Sequence, residues 1–205
     1  MLRGRTTANG AQPVGRNVTA LDEVALVSRV AGGDRDAFEA LYRCYYPRLR
    51  RFLERMTQRP PLVEEILNDT LLVVWRKAHT YNLGSKVSTW IFAIAYRKAL
   101  KSLKRVDDAV EFDPEKDLRP ADSDPEGEVM QQELRAFLCH AMTALSVEHR
   151  AVIELTYYQG YACLEIAQIM GCPVDTVKTR MFYARRRLKA LLTNGVEKIE
   201  WADEY

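Results

Sequence analysis

Two runs of basic side chains carry the clearest chemistry in the sequence. In the first, Arg97, Lys101 and Lys104 follow one another by four and three residues, flanked by Lys98 and Arg105. On a helix this spacing makes one ridge of positive charge, long enough to track several phosphates. In the second, Lys178, Arg180, Arg185, Arg186, Arg187 and Lys189 crowd one segment, opposed by Asp175 alone. Either run by itself could merely solvate a helix face. Two of them on separate parts of one chain point to nucleic acid.

The second run sits in a recognisable local pattern. From Cys163 to Arg180 the sequence reads as a helix with a small residue at Ala167, a tight turn at Gly171, and a second helix opened by Pro173. Ala167 allows two helices to approach closely, Gly171 permits a left-handed turn, and Pro173 suits a first turn that needs no N–H. Ile166, Ile169, Val177 and Met181 supply a small core between the helices. Lys178, Thr179, Phe182, Tyr183 and Arg186 then share the opposite face, as a helix reading the major groove requires. Thr176, Arg180 and Arg185, with the N–H groups at the helix start, are the expected phosphate contacts. Asp175 is read as a complement to the helix dipole. A plain helical bundle with a basic outer face is the competing reading.

A third group lies upstream. The segment Tyr81-Asn82-Leu83-Gly84-Ser85-Lys86-Val87-Ser88 puts an aromatic, an amide, hydroxyls and a lysine on flexible backbone. Such groups can stack on an unpaired base and bond its edge, although Tyr81 would serve equally well as core. Before it, Ile66, Leu67, Thr70, Leu71, Val74 and Trp75 form one helical stripe, while Glu65, Asn68, Asp69, Leu72 and Val73 fall on the other side. Apolar residues among acids on an outward face suggest a protein partner, unless Leu72 and Val73 pack beneath the preceding helix.

Other chemistries find little support. There is no glycine-rich phosphate loop and no nucleophile with a neighbouring histidine, so no catalytic residue is assigned and an enzyme is not expected. Cys44, Cys139, Cys163 and Cys172 form no C-x-x-C pair, and His79, His140 and His149 do not sit at zinc-ligand spacings. Buried free thiols, no metal and no cofactor are the expectation.

The elements that must position these groups are helical throughout, because no stretch alternates with the period of a half-buried strand. An all-α chain is expected, with helices near 21–31, 34–57, 61–78, 88–105, 129–144, 147–158, 161–170 and 173–193. The 205 residues carry a net charge of only +2. That value is a cancellation: residues 1–105 carry +10, residues 106–131 carry −8, and residues 132–205 carry 0. The middle stretch mixes Pro114, Pro120, Pro125 and Gly127 with ten carboxylates and reads as an extended acidic linker. The expected organisation is a disordered tail at 1–17, a helical domain at 18–105, the linker at 106–128, a helix-turn-helix domain at 129–193 and a C-terminal tail at 194–205. No 18-residue apolar run and no secretory signal are present, so a cytoplasmic protein without direct membrane insertion is expected.

The second half closely resembles region 4 of the extracytoplasmic-function (ECF) class of sigma-70 RNA polymerase sigma factors. The matching text is Leu145-Ser146, His149 to Leu155, Glu165-Ile166-Ala167, Thr176 to Arg180 and Ala184 to Leu188. The first half is similar to region 2 of the same class, through Asp36 to Tyr42, Val63 to Trp75 and Thr89 to Arg97. The resemblance implies a factor that binds core RNA polymerase and directs promoter-specific transcription initiation, with no cofactor. Core contacts, to the β′ clamp coiled coil, would come from Glu64, Glu65, Asn68, Asp69, Leu72 and Val73, and the β subunit is a further expected partner. Recognition and melting of the −10 element would use Tyr81, Asn82, Ser85, Lys86, Ser88, Arg97, Lys98, Lys101 and Lys104. The −35 element would meet Thr176, Lys178, Thr179, Arg180, Phe182, Tyr183, Arg185 and Arg186.

Asn68 stands where the family most often has glutamine. Arg97 and Lys101 stand where it often has asparagine and an acid, which favours backbone binding over base readout. The resemblance also implies a stress or envelope response and an anti-sigma factor that covers the same surfaces. The linker would thread through polymerase toward the RNA exit path, and in the free protein it could lie on either basic surface. The alternative reading is a dimeric helix-turn-helix regulator that binds palindromic DNA without core polymerase.

Overall fold

The computed structural model describes residues 20–57, 59–107, 138 and 141–200; side chains are described within 22–106 and up to residue 193. The tail 1–17, the acidic residues 108–128 and most of the helix expected over 129–144 lie outside these residues; residues 138 and 141–143 are helical. Among the described residues there is no strand, and no helix is long and apolar enough to cross a membrane.

The first half holds α1 (Ala20–Ala31), α2 (Arg35–Thr57), α3 (Pro60–Lys77), a 3-10 turn (Ala78–Thr80) and α4 (Val87–Asp107). Gly33, with φ of 86°, turns the chain out of α1. Asp34 then opens α2, its Oδ1 accepting the N–H groups of Asp36 and Ala37, each at 3.0 Å. The Ala37 N–H, with Arg29 beside it, holds the Asp34 carboxyl below its ordinary range. Proline at the first positions of α3 costs no hydrogen bond there. Tyr45, Leu49, Phe52 and Leu53 of α2 pack with Ile66, Leu67 and Val74 of α3 and with Ile91, Phe92 and Ala95 of α4, all essentially buried.

The second half holds α5 (Val147–Ile153), a wide π turn (Glu154–Tyr158), α6 (Cys163–Met170) and α7 (Val174–Glu200). Ser146 caps α5, its Oγ accepting the His149 N–H. Gly171 has φ of 65°, and the Cys172 N–H reaches back to the Ala167 carbonyl at 3.1 Å. This is the left-handed helix end that the Gly171 position predicts. Pro173 sits one residue earlier than the first-turn place expected for it, and its carbonyl accepts the Val177 N–H. Ile166, Ile169, Val177 and Met181 are buried together as expected. The backbone of α7 continues past 193, through residues assigned to a tail, to Glu200.

The two halves share one hydrophobic core. The face of α4 opposite Ile91 and Ala95 carries Phe92, Ala93 and Tyr96, and these are buried too, because α6 and the Tyr161 segment lie over them. Phe92 meets Phe52 at 5.3 Å on one side and Tyr161 at 5.4 Å on the other. Polar bonds cross the same seam. Arg150, 8% exposed, donates to the carbonyls of Met142, Thr143 and Leu145 in its own half and to that of Met56, at 2.8 Å, in the last turn of α2. Arg55 donates to the fully buried carboxylate of Glu154 at 2.9 Å. Lys86 pairs with Glu165 at 2.8 Å.

Arg150 satisfies four carbonyls from a largely buried position, so Arg150→Ala should lower unfolding free energy by about 3 kcal/mol in a denaturant titration. Arg150→Lys should recover only a minor part, since an ammonium cannot present the same planar fork. Glu165 gives a pH signature. Burial works to raise its pKa, but the hydrogen bonds from Lys86 and from the Ala162 N–H prevail and lower it below the ordinary 4.5. A lowered carboxyl stabilises fully above its unfolded value and loses that contribution as pH falls through its folded value. The stability difference between wild type and Glu165→Gln should therefore be full above pH 4.5 and shrink below it.

Candidate functional site

Three surfaces carry the residues singled out by the sequence. On α3 the outward face holds Glu65, Asn68, Asp69 and Leu72, all exposed, with Leu72 at 43%. Val73 instead leans on the core and is partly buried. Glu64 is also half-buried, near Arg50 at 3.8 Å and accepting from the Tyr46 hydroxyl at 3.5 Å. Leu72 is therefore an exposed apolar side chain among carboxylates rather than part of the packing.

The α4 ridge lies next to that patch. Arg97, Lys101 and Lys104 are exposed along one side, as their spacing predicts. Lys98 reaches across to Asp69 at 2.9 Å, and Arg105 to Glu65 at 2.7 Å. Two acids of the expected protein-docking patch thus neutralise two cations bordering the expected DNA ridge. Such exposed pairs are individually weak and exchange easily for an external partner.

The loop before α4 is more ordered than its composition suggests. The Tyr81 hydroxyl donates to the Ser85 carbonyl at 2.6 Å, and its ring packs against Trp90 at 5.5 Å. That geometry supports the core reading of Tyr81 rather than a free stacking platform. Asn82 Oδ1 accepts the Gly84 N–H at 3.1 Å. Between them Leu83 adopts φ of 62° and stands 67% exposed at the loop tip. Sequence reasoning passed over Leu83; an unfavourable left-handed conformation holding an apolar side chain in solvent is visible only in the fold. Lys86 is engaged by Glu165, and Ser88 faces the buried Tyr161 hydroxyl. Burial raises the Tyr161 pKa, and its hydroxyl has no hydrogen-bond partner among the described residues.

On α7, Lys178, Thr179, Phe182, Tyr183, Arg185 and Arg186 are exposed together, Phe182 at 61% and Tyr183 at 52%. Lys178 pairs with Asp175 at 3.0 Å, and Arg185 lies over the Tyr157 ring at 5.4 Å. Thr176 is half-buried at the helix start. Arg180 is turned differently from the rest. It contacts Cys172 Sγ at 3.8 Å and approaches Tyr96 of α4 across the seam. Burial pushes the Tyr96 phenol up to about 12. Tyr183 and Arg186 also border a groove of about 460 Å³ floored by Leu145 and Ser146 and flanked by His149 and Arg187.

Of the cysteines, Cys163 is exposed, against the expectation of burial, because it opens α6 on its outer side; Cys44 and Cys172 are half-buried free thiols. Cys139 lies outside the described residues. Among the described residues no cluster of His, Cys, Asp and Glu could hold a metal ion.

Comparison with known proteins places both halves. Residues 41–118 match the family model Sigma-70 region 2, and residues 141–190 match Sigma-70, region 4. The ECF RNA polymerase sigma factor RpoE of Cereibacter sphaeroides is 32% identical over 173 residues, covering 82% of this chain and 93% of that one. The ECF RNA polymerase sigma factor SigM of Mycobacterium tuberculosis is 33% identical, covering 83% of this chain and 84% of that one. Among solved structures, the sigma factor RpoE of Bartonella quintana, in complex with the anti-sigma factor NepR, superposes with a TM-score of 0.61 at 26% identity, covering 76% of this chain and 96% of that one. With both sigma regions matched in order, and relatives of this identity matched over most of their length, the chain belongs to the ECF RNA polymerase sigma factors.

Proposed function

We propose that this sigma factor docks on core RNA polymerase through the outward face of α3 and reads promoter DNA through two separate basic faces. The α4 ridge and the loop before it serve the −10 element, and the exposed face of α7 serves the −35 element. The observation that carries this reading is an acidic face of α3 with Leu72 exposed beside the basic ridge of α4, and a second exposed basic face on α7 in the other half of the chain. Glu64, Glu65, Asn68, Asp69 and Leu72 offer carboxylates around an apolar knob, suited to basic helices such as the β′ clamp coiled coil. Lys98 and Arg105 are released when that partner takes Asp69 and Glu65, so core docking also frees cations for DNA. Its role is that of an initiation factor, exerted by binding, in the bacterial cytoplasm.

The closed arrangement of the halves bears on regulation. Lys86 and Arg180 are expected DNA contacts, yet each is engaged across the seam. The free chain is therefore a poor DNA binder, and separation of the halves on polymerase exposes these groups. An anti-sigma partner, of the kind seen with the Bartonella relative, would act on the same equilibrium. Direct contact between the halves would then mask these cations in addition to any cover from the acidic linker, which lies outside the described residues.

A combined Glu65→Ala, Asp69→Ala, Leu72→Ala protein should bind purified core enzyme at least about tenfold more weakly and lose promoter-specific run-off transcription; unchanged core affinity would sink the docking assignment. Glu165→Gln, which frees Lys86 and loosens the seam, should raise the affinity of the free chain for promoter DNA several-fold in a fluorescence anisotropy titration. Equal affinities would show that closure does not limit DNA binding. A tight footprint on a palindrome by the free protein, with no run-off product from holoenzyme, would favour the dimeric regulator.

A further inference from the structure

A basic cavity at the seam has no role in the reading above. It encloses about 240 Å³ and is lined by Arg48, Arg51 and Arg55 of α2 and by Glu154, Tyr158 and Gln159 of the second half. Spacings of three and four place the three guanidinium groups on one face of α2, about 5 Å apart along its axis. Two of them are held by aromatic rings. Arg48 lies 5.4 Å from the ring centroids of both Tyr45 and Phe92. Arg55 stacks 3.6 Å over Tyr158. Both bonds from Arg55 to Glu154, at 2.9 and 3.3 Å, use Nη1, so the other edge of its fork is not taken up by that carboxylate. Arg51 is exposed at the rim. Glu154 is the one carboxylate lining the cavity against three arginines, so the site keeps a positive excess, two of its three guanidinium groups already held by aromatic rings. Fixed guanidinium forks lose little freedom on capturing an anion, which is what makes a cationic cavity a binding site and not just a charged surface.

We propose that this cavity binds an oligophosphate, either inorganic pyrophosphate or the phosphate chain of a nucleotide. A single tetrahedral anion reaches at most two arginines at this spacing, whereas linked phosphates engage all three, with charge-assisted bonds to each. The enclosed volume admits a short phosphate chain and excludes a duplex. Because the lining comes from both halves, the ligand favours the closed arrangement and raises the melting temperature. The binding itself is independent of the polymerase and promoter assignments.

The test is calorimetric titration of the full chain with pyrophosphate, with a nucleoside triphosphate and with sulfate at matched ionic strength. The expected result is saturable one-to-one binding of the first two and none of comparable strength for sulfate. Arg51→Ala, at an exposed position, should weaken pyrophosphate binding at least about tenfold, Arg51→Lys should recover part of it, and Lys101→Ala on α4 should leave it unchanged. Tighter binding of the nucleotide than of pyrophosphate would assign the nucleotide as the source, and equal binding the phosphate chain alone. The proposal is overturned by unsaturable binding, by sulfate binding as well as pyrophosphate, or by an equal loss in Lys101→Ala, which would mean diffuse charge attraction. Single-stranded DNA displacing pyrophosphate at lower concentration, with the same Arg51 dependence, would overturn it in favour of nucleic acid.

Discussion

The structure depends on a buried arginine. Arg150 sits where the second half meets the end of α2, and burial disfavours its charge enough to lower its pKa. A buried guanidinium is tolerable only when its donors are used. Four carbonyls supply the partners, three from the turn leading into α5 and one from Met56. The single group therefore fixes the entry to the helix-turn-helix half and ties it to the first half. Glu154, one turn later at the start of the wide π turn, repeats the device with the sign reversed. Burial raises its pKa, Arg55 opposes the rise, and the charge that would otherwise be costly is spent joining the halves.

Everything functional is arranged around this joint. The aromatic sequence Phe52, Phe92, Tyr161 runs through it as continuous apolar packing, so α4 is buried on two sides and presents to solvent a strip bearing Arg97, Lys101, Lys104 and Arg105. The recognition face of α7 points away, held by Val177, Met181 and Ala184 beneath it. Surface ion pairs couple the docking patch of α3 to the edge of the α4 ridge, while the seam occupies Lys86 and Arg180. On the proposed reading, internal and external partners would compete for the same cations.

Much of this was legible in the residues. Helical periodicity, the Gly171 turn, the Ile166–Val177 core and the outward faces of α3, α4 and α7 follow from spacings of three and four, which report what neighbours along one helix must do. Other features left weaker traces. Tyr81 looked as suitable for stacking as for packing, and only its bond to Ser85 and contact with Trp90 separate the two. Val73 and Leu72 are adjacent and alike in type, yet one leans on the core and the other does not. No spacing along α4 marks Phe92 and Tyr96 for burial, because the surface covering them comes from residues about seventy positions away.

The sequence alone therefore determined the all-α class, the helix-turn-helix and the resemblance to two sigma regions, since these rest on local spacing and on motifs contiguous in the chain. Tertiary structure alone decided how the halves meet, which cations are spoken for, and that Arg48, Arg51 and Arg55 share a cavity with Tyr158 and Gln159. Those outcomes depend on long-range burial and on the need to satisfy buried charge. No residue carries in its own neighbourhood a record of which distant group will meet that need.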